Sequence, residues 1–197
     1  MSGDATLAKR FQPAAWGAIM PEELPTVPER ASSAVTAGGE QHCQLLGEVG
    51  TQALARWMAP LLVPGDQLLL QGPLGAGKTS LVRALVAALS GEVELVASPT
   101  FTLLHEYDGL PPVVHVDAYR LADSNDLAAI GYDDLRQDAV ACVEWPERVA
   151  DHFDRSACWT LALDHRDPTS RLARLVAPVD RSPPALPAVF PSESDTP

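Results

Sequence analysis

Gly72-Pro73-Leu74-Gly75-Ala76-Gly77-Lys78-Thr79 decides how the rest of this chain is read. Its spacing, G-x-x-x-x-G-K-T, is that of a phosphate-binding P-loop. Glycines permit turns that a side chain forbids, so several backbone N–H groups can converge on one anion. A helix starting at the end of the loop adds the positive end of its dipole. In such a loop Lys78 reaches the β- and γ-phosphates of a nucleotide, and the Thr79 hydroxyl ligates Mg²⁺.

The flanks agree. Residues 66–71 (DQLLLQ) form a short apolar run suited to a buried strand. Leu81, Leu85, Val86 and Leu89 recur at helical spacing until Ser90-Gly91 breaks the pattern. The chain has two lysines, Lys9 and Lys78, against twelve arginines. A composition that otherwise prefers arginine keeps a compact ammonium where it would sit over a phosphate. A Gly-rich turn that merely joins a strand to a helix is the weaker reading.

The chain of 197 residues suggests one domain, and 46% apolar residues suffice for a core. There is no run of 18 apolar residues and no signal-peptide pattern, so neither a membrane span nor export is expected. Cys43, Cys142 and Cys158 lack C-x-x-C spacing. That argues against a disulfide framework or zinc site and points to a reducing cytoplasm. The net charge is −12, and most of it falls on residues 41–177. Such a surface repels phosphate backbones, so direct nucleic-acid binding is not expected.

Three segments follow. Residues 1–40, with four scattered prolines, read as a disordered extension. Residues 41–177 carry the P-loop domain. Residues 178–197 hold six prolines and read as a disordered tail. Within the domain, residues 41–58 have helical composition, with Leu45, Leu46, Val49, Leu54 and Trp57 as candidate core contacts. Residues 92–97 form a strand candidate that runs into Ser98-Pro99-Thr100-Phe101-Thr102, which is either an ordinary turn or, in a nucleotide site, a loop that brings Thr100 near the γ-phosphate or its metal. Residues 112–117 make an apolar strand ending on Asp117. His115 within it reads as a packed core histidine more readily than a ligand. Arg120 either faces phosphate or pairs with a surface acid. Asp123 and its polar neighbours cap a short helix with Leu127 and Ile130, Gly131 interrupts, and Leu135 belongs to a second. Residues 139–143 are an apolar strand leading to Glu144.

Ligands of open parallel sheets bind at the carboxyl ends of strands. Asp117 and Glu144 are therefore the natural partners for Mg²⁺ and an attacking water. Trp145 packs beside that site or in the core. Residues 159–163 and 172–176 form an antiparallel hairpin joined by a loop over 164–171. The expected fold is an α/β P-loop NTPase, with a mostly parallel sheet flanked by helices and a C-terminal antiparallel hairpin.

Five signatures now stand in one order: residues 72–79 (G-P-L-G-A-G-K-T), 98–102 (S-P-T-F-T), 115–121 (H-V-D-A-Y-R-L), Ile130-Gly131, and 143–146 (V-E-W-P). Together they closely resemble the TsaE family, the ATPase component of bacterial tRNA threonylcarbamoyladenosine synthesis. The resemblance covers roughly residues 45–177. It implies a compact P-loop fold, weak ATP hydrolysis by the chain alone, and action on a TsaB–TsaD pair that performs the threonylcarbamoyl transfer. tRNA would be met only through those partners. Residue by residue, it implies that Leu74, Gly75, Ala76, Gly77, Lys78 and Thr79 hold phosphate, and that Thr79 and Glu144 occupy the Mg²⁺ positions. Asp117 matches the acid required for hydrolysis, Trp145 its functionally sensitive neighbour, and Thr100 a mobile loop near the nucleotide. Arg171 matches an arginine of the C-terminal hairpin that approaches the nucleotide. Two features depart from the pattern. Pro73 stands where the family usually has Asp, and the N-terminal extension is atypical.

Two other classes compete. A small-molecule or nucleoside kinase would share the loop but usually carries an Arg-rich lid, which this sequence lacks. A non-hydrolysing ATP-binding adaptor would have no need of Asp117 and Glu144.

Overall fold

The computed structural model describes residues 39–90, Pro99 and 102–190. The expected strand over 92–97, Thr100, residues 1–38 of the N-terminal extension and the last seven residues lie outside the described residues. At the centre is β2 (Gln67–Gln71), whose three leucines are fully buried. It is flanked by β5 (Val140–Glu144) and β6 (Trp159–His165), and β4 (Val113–Asp117) lies beyond β5. These four strands run parallel. Every residue of β4 and β5 is buried, as expected of strands covered on both faces.

The alternation of side chains sorts these strands between two cores. Leu68 and Leu70 join Val113, Val140 and Cys142 beneath α1 (Gly47–Met58) and α2 (Lys78–Ser90). Leu69 joins Val114, Val116, Ala141 and Val143 on the opposite face. That face is covered by Leu127 of α3 (Ser124–Ala129), Tyr132 of α4 (Tyr132–Leu135), Val149 and Phe153. Period two then puts His115, Asp117 and Glu144 on the α2 face. The Asp123 side chain caps α3 by accepting from the N–H groups of Asn125 and Asp126, and Gly131 separates α3 from α4 in a left-handed conformation.

The outer strands are antiparallel. β3 (Leu104–Tyr107) pairs with β4, and β7 (Ser170–Val176) pairs with β6. The hairpin is thus longer than expected. Arg171 lies within β7, directly opposite His165, and the connecting turn shrinks to residues 166–169. Asp167 fastens that turn by accepting from the N–H groups of Thr169 and Ser170 and from both hydroxyls, which hold its carboxyl at about 2.

Two expectations are corrected. Residues 41–58 are not one helix: β1 (Glu40–Leu46) precedes α1 and pairs with β7. Gln41, Cys43 and Leu45 alternate inward, and Gly47, at φ +63°, turns the chain into the helix. Of the expected contacts, Leu45 and Leu54 are in the core, Trp57 packs against it, and Leu46 and Val49 are half-buried.

The second correction concerns the tail. Residues 178–190 form a strap along β1, ending in β8 (Val189–Phe190), which runs parallel to it. Proline lacks a donor, so the strap is tied at intervals. The Gln41 side chain donates to the Pro184 carbonyl at 3.3 Å and accepts from the Leu186 N–H. Gln44 N–H donates to the Ala188 carbonyl at 2.8 Å. Leu186 and Phe190 enter the core beneath α1, and their burial stabilises the strap by roughly 1.5–3 kcal/mol each.

Candidate functional site

The eight-residue loop leaves β2 and enters α2 at Lys78. Gly72 starts it at φ +135°, pressed so close to Leu163 that a Cβ there would overlap the Leu163 carbonyl oxygen. Only glycine satisfies both demands. Gly77 has φ +104° with open space before it, so a side chain is excluded by conformation while the room is kept for an anion. Pro73 contributes its carbonyl, which accepts from Ala76 N–H at 3.2 Å.

Lys78 is 4% exposed despite its charge. Its Nζ donates to the Gly72 carbonyl at 2.7 Å and the Pro73 carbonyl at 3.0 Å. The same Nζ lies 3.8 Å from the centre of the Trp145 ring, a cation–π contact. Burial depresses the lysine's pKa, while Glu144, Glu147 and Asp117 oppose that shift. The ammonium is thus held over the loop by carbonyls, an aromatic face and nearby carboxylates.

The acids come from adjacent strand ends. β4 and β5 place Asp117 directly beside Glu144, each at most 4% exposed. Thr79 Oγ1 donates to Glu144 Oε1 at 2.7 Å. A hydroxyl that gives its hydrogen to a carboxylate keeps its lone pairs for a cation. Asp117 Oδ1 accepts from Tyr119 N–H at 3.0 Å, and its own N–H donates to the Leu103 carbonyl at 3.1 Å. Leu103 N–H in turn reaches the Pro99 carbonyl at 2.6 Å, so the strand end bearing Asp117 is tied to Pro99. Among the described residues, no three His, Cys, Asp or Glu side chains make a metal site by themselves. Hard oxygen donors from Thr79 and Glu144 suit Mg²⁺, which commonly takes one or two protein ligands and completes its shell with phosphate and water.

Trp145 holds a left-handed backbone, φ 57° and ψ 46°, rare for a bulky residue and costing about 1–3 kcal/mol. The conformation is fixed by its N–H bond to the Leu70 carbonyl, 3.2 Å, and by Pro146 opening the next turn. It turns the ring onto Lys78 and to 5.1 Å from Tyr119.

Arg171 bonds the carbonyls of Asp167 and Ser170 in its own hairpin. The hairpin meets the loop through His165, whose Nε2 lies 3.4 Å from the Leu74 carbonyl. Sequence reasoning passed over His165, because nothing local links it to a loop 91 residues away. It also left His115 as core packing. His115 is fully buried, yet its Nε2 lies 2.9 Å from Glu144 Oε1. The three cysteines are buried free thiols, and burial pushes Cys43 and Cys142 up to about 12, so they act as core residues.

Residues 47–173 match the family model described as threonylcarbamoyl adenosine biosynthesis protein TsaE. Three curated relatives are tRNA threonylcarbamoyladenosine biosynthesis proteins TsaE. The one from Bacillus subtilis is 40% identical over 105 residues, which is 52% of this chain and 65% of the relative. The one from Treponema pallidum is 45% identical over 103 residues, 50% of this chain and 76% of the relative. The Mycobacterium tuberculosis H37Rv protein is 35% identical over 136 residues, 64% and 79% respectively. The crystal structure of Bacillus subtilis YdiB superimposes with a TM-score of 0.58 at 26% identity, covering 71% of this chain and 86% of that one.

Proposed function

This chain belongs to the TsaE family, and from that premise we propose that it serves tRNA threonylcarbamoyladenosine synthesis as a Mg²⁺-dependent ATPase that switches a TsaB–TsaD complex. The observation that carries the reading is the Thr79–Glu144 hydrogen bond beneath a glycine loop with a buried lysine over it. This joins a phosphate cradle to a carboxylate at a strand end, the two halves of a P-loop nucleotide site.

The backbone N–H groups of Gly75, Gly77, Lys78 and Thr79, at the start of α2, would bind the β-phosphate. Lys78 would exchange the Gly72 and Pro73 carbonyls for β- and γ-phosphate oxygens. Thr79 and Glu144 would hold Mg²⁺, which when bound neutralises charge on the phosphoryl oxygens. Asp117, beside Glu144 on the next strand, would orient the water that attacks the γ-phosphate in line. Trp145 would keep Lys78 aligned from the side. Thr100 and Arg171 would border the nucleotide. Catalysis of this kind is mostly positioning and electrostatics, so a partner can set the rate by completing or loosening the site. The net charge of −12 fits a protein that meets tRNA only through its partners. Among the described residues, no helix is long and apolar enough to cross a membrane.

Product analysis tests the reaction. Incubation with ATP and Mg²⁺ is expected to give ADP and free phosphate in equal amounts, with loss in Glu144→Ala. Phosphate appearing instead on a nucleoside or other small acceptor would make the protein a kinase.

A further inference from the structure

His115 sits in the middle of β4, between β3 and β5, 0% exposed and on the α2 face of the sheet. A buried histidine is a poor core filler. Its Nδ1 has no hydrogen-bond partner among the described residues. Leaving such an atom unpaired costs free energy that an apolar side chain of similar volume avoids. The other ring nitrogen is committed to one atom, Glu144 Oε1, at 2.9 Å. A carboxylate only accepts, so the shared hydrogen is on Nε2.

The second bond to Glu144 lands on the same oxygen. Thr79 Oγ1 donates to Oε1 at 2.7 Å, from the opposite partner in the site. Two donors on Oε1, one from the sheet and one from the helix, fix the rotation of the carboxylate. Neither donor engages Oε2. Thr79 alone would leave one pivot about which the carboxylate could turn. The residues are diagonal neighbours: His115 pairs with Cys142, and Glu144 stands two places further along β5 on the same face. The strand register therefore presets the contact. Tyr107 of β3 lies beside the imidazole, 6.4 Å between ring centres and tilted by 37°.

From this geometry we propose that His115 is a positioning residue for cation binding: by holding Oε1 it aims Glu144 at Mg²⁺. It touches neither substrate nor reacting atoms. The inference rests on the reading of Glu144 as a Mg²⁺ ligand given above, and its test separates the two.

The test titrates Mg²⁺ into the full chain with a fluorescent, non-hydrolysable ATP analogue. Analogue affinity is also measured in EDTA, and thermal unfolding is followed in parallel. His115→Leu keeps volume and removes the donor. His115→Gln returns an amide N–H to the place of Nε2, whereas His115→Asn sets it back by one bond. Outer partners of this kind typically contribute about 10–100-fold to metal affinity. His115→Leu is therefore expected to raise the half-saturating Mg²⁺ concentration about tenfold or more, with analogue affinity in EDTA unchanged. His115→Gln is expected to restore most of the loss and His115→Asn little of it. If His115→Leu does not fold, the contrast between Gln and Asn decides. Equal Mg²⁺ dependence in those two variants overturns the proposal, as does wild-type Mg²⁺ dependence in a folded His115→Leu. Glu144→Ala is the reference. If it leaves Mg²⁺ dependence unchanged, the assignment of Glu144 itself fails. If it shifts while His115→Leu does not, only the role of His115 fails.

Discussion

Replacing Thr79 by valine removes one oxygen and almost no volume. Thr79 is half-buried, and its hydroxyl donates at 2.7 Å to a carboxylate that is 3% exposed. Hydrogen bonds to charged groups contribute about 1.5–3 kcal/mol. Water competes on the Thr79 side, so the lower end applies. Thr79→Val should lower unfolding free energy by about 1.5 kcal/mol, read as a shift of the urea midpoint without a change in slope. A second loss should appear only with metal. The hydroxyl has lone pairs that valine lacks, so half-saturating Mg²⁺ should rise at least tenfold, about 1.4 kcal/mol, while nucleotide affinity in EDTA holds. Thr79→Ser, which restores the donor and the lone pairs, should recover both. The reasoning is refuted if Thr79→Val matches wild type within about 0.5 kcal/mol, the range of neutral surface changes, and binds nucleotide with unaltered Mg²⁺ dependence.

Two further outcomes follow from the same coordinates. Burial depresses the pKa of Lys78 below its ordinary 10.5, so between the depressed value and 10.5 the unfolded chain keeps a proton that the folded chain has lost. The Lys78 contribution to stability therefore rises with pH across that window. In urea unfolding, wild type should gain on Lys78→Met as pH approaches 10.5, and a flat difference would contradict the depressed pKa. Leu186 is 2% exposed in the strap over β1, so Leu186→Ala should cost about 2–4 kcal/mol. A change of less than about 1 kcal/mol in the urea midpoint analysis would mean that the strap contributes little to the core.

What could be read from the sequence was what local chemistry dictates. Residues 72–79 announce themselves because the backbone must turn through conformations open to glycine and then end in a lysine and a hydroxyl. The runs at 113–117 and 140–144 were legible as buried strands, and each ends on an acid by simple inspection. β1 was missed because its alternation is carried by Gln41, Cys43 and Leu45, and a buried glutamine does not register as apolar. Gln41 is inward because it brackets the strap, a contact across 143 and 145 residues. The strap itself was hidden by its prolines, which suggest disorder while Leu186 and Phe190 supply the anchors. The His115–Glu144 bond needed the strand order. Only once β4 and β5 are known to be parallel neighbours does period two place both side chains on one face. The left-handed Trp145 had no local signal, since its conformation is imposed by the Leu70 carbonyl and the following turn.

We propose that the loop, Lys78, Thr79, Asp117 and Glu144 form an ATPase site whose turnover is governed by partners. The most direct test measures phosphate release from ATP and Mg²⁺ by the full chain alone, then with purified TsaB and TsaD, for wild type and Glu144→Ala. Slow release alone, a clear rise with the partners, and loss of both in the variant are expected. Release that ignores the partners, or persists unchanged in Glu144→Ala, would contradict this proposal.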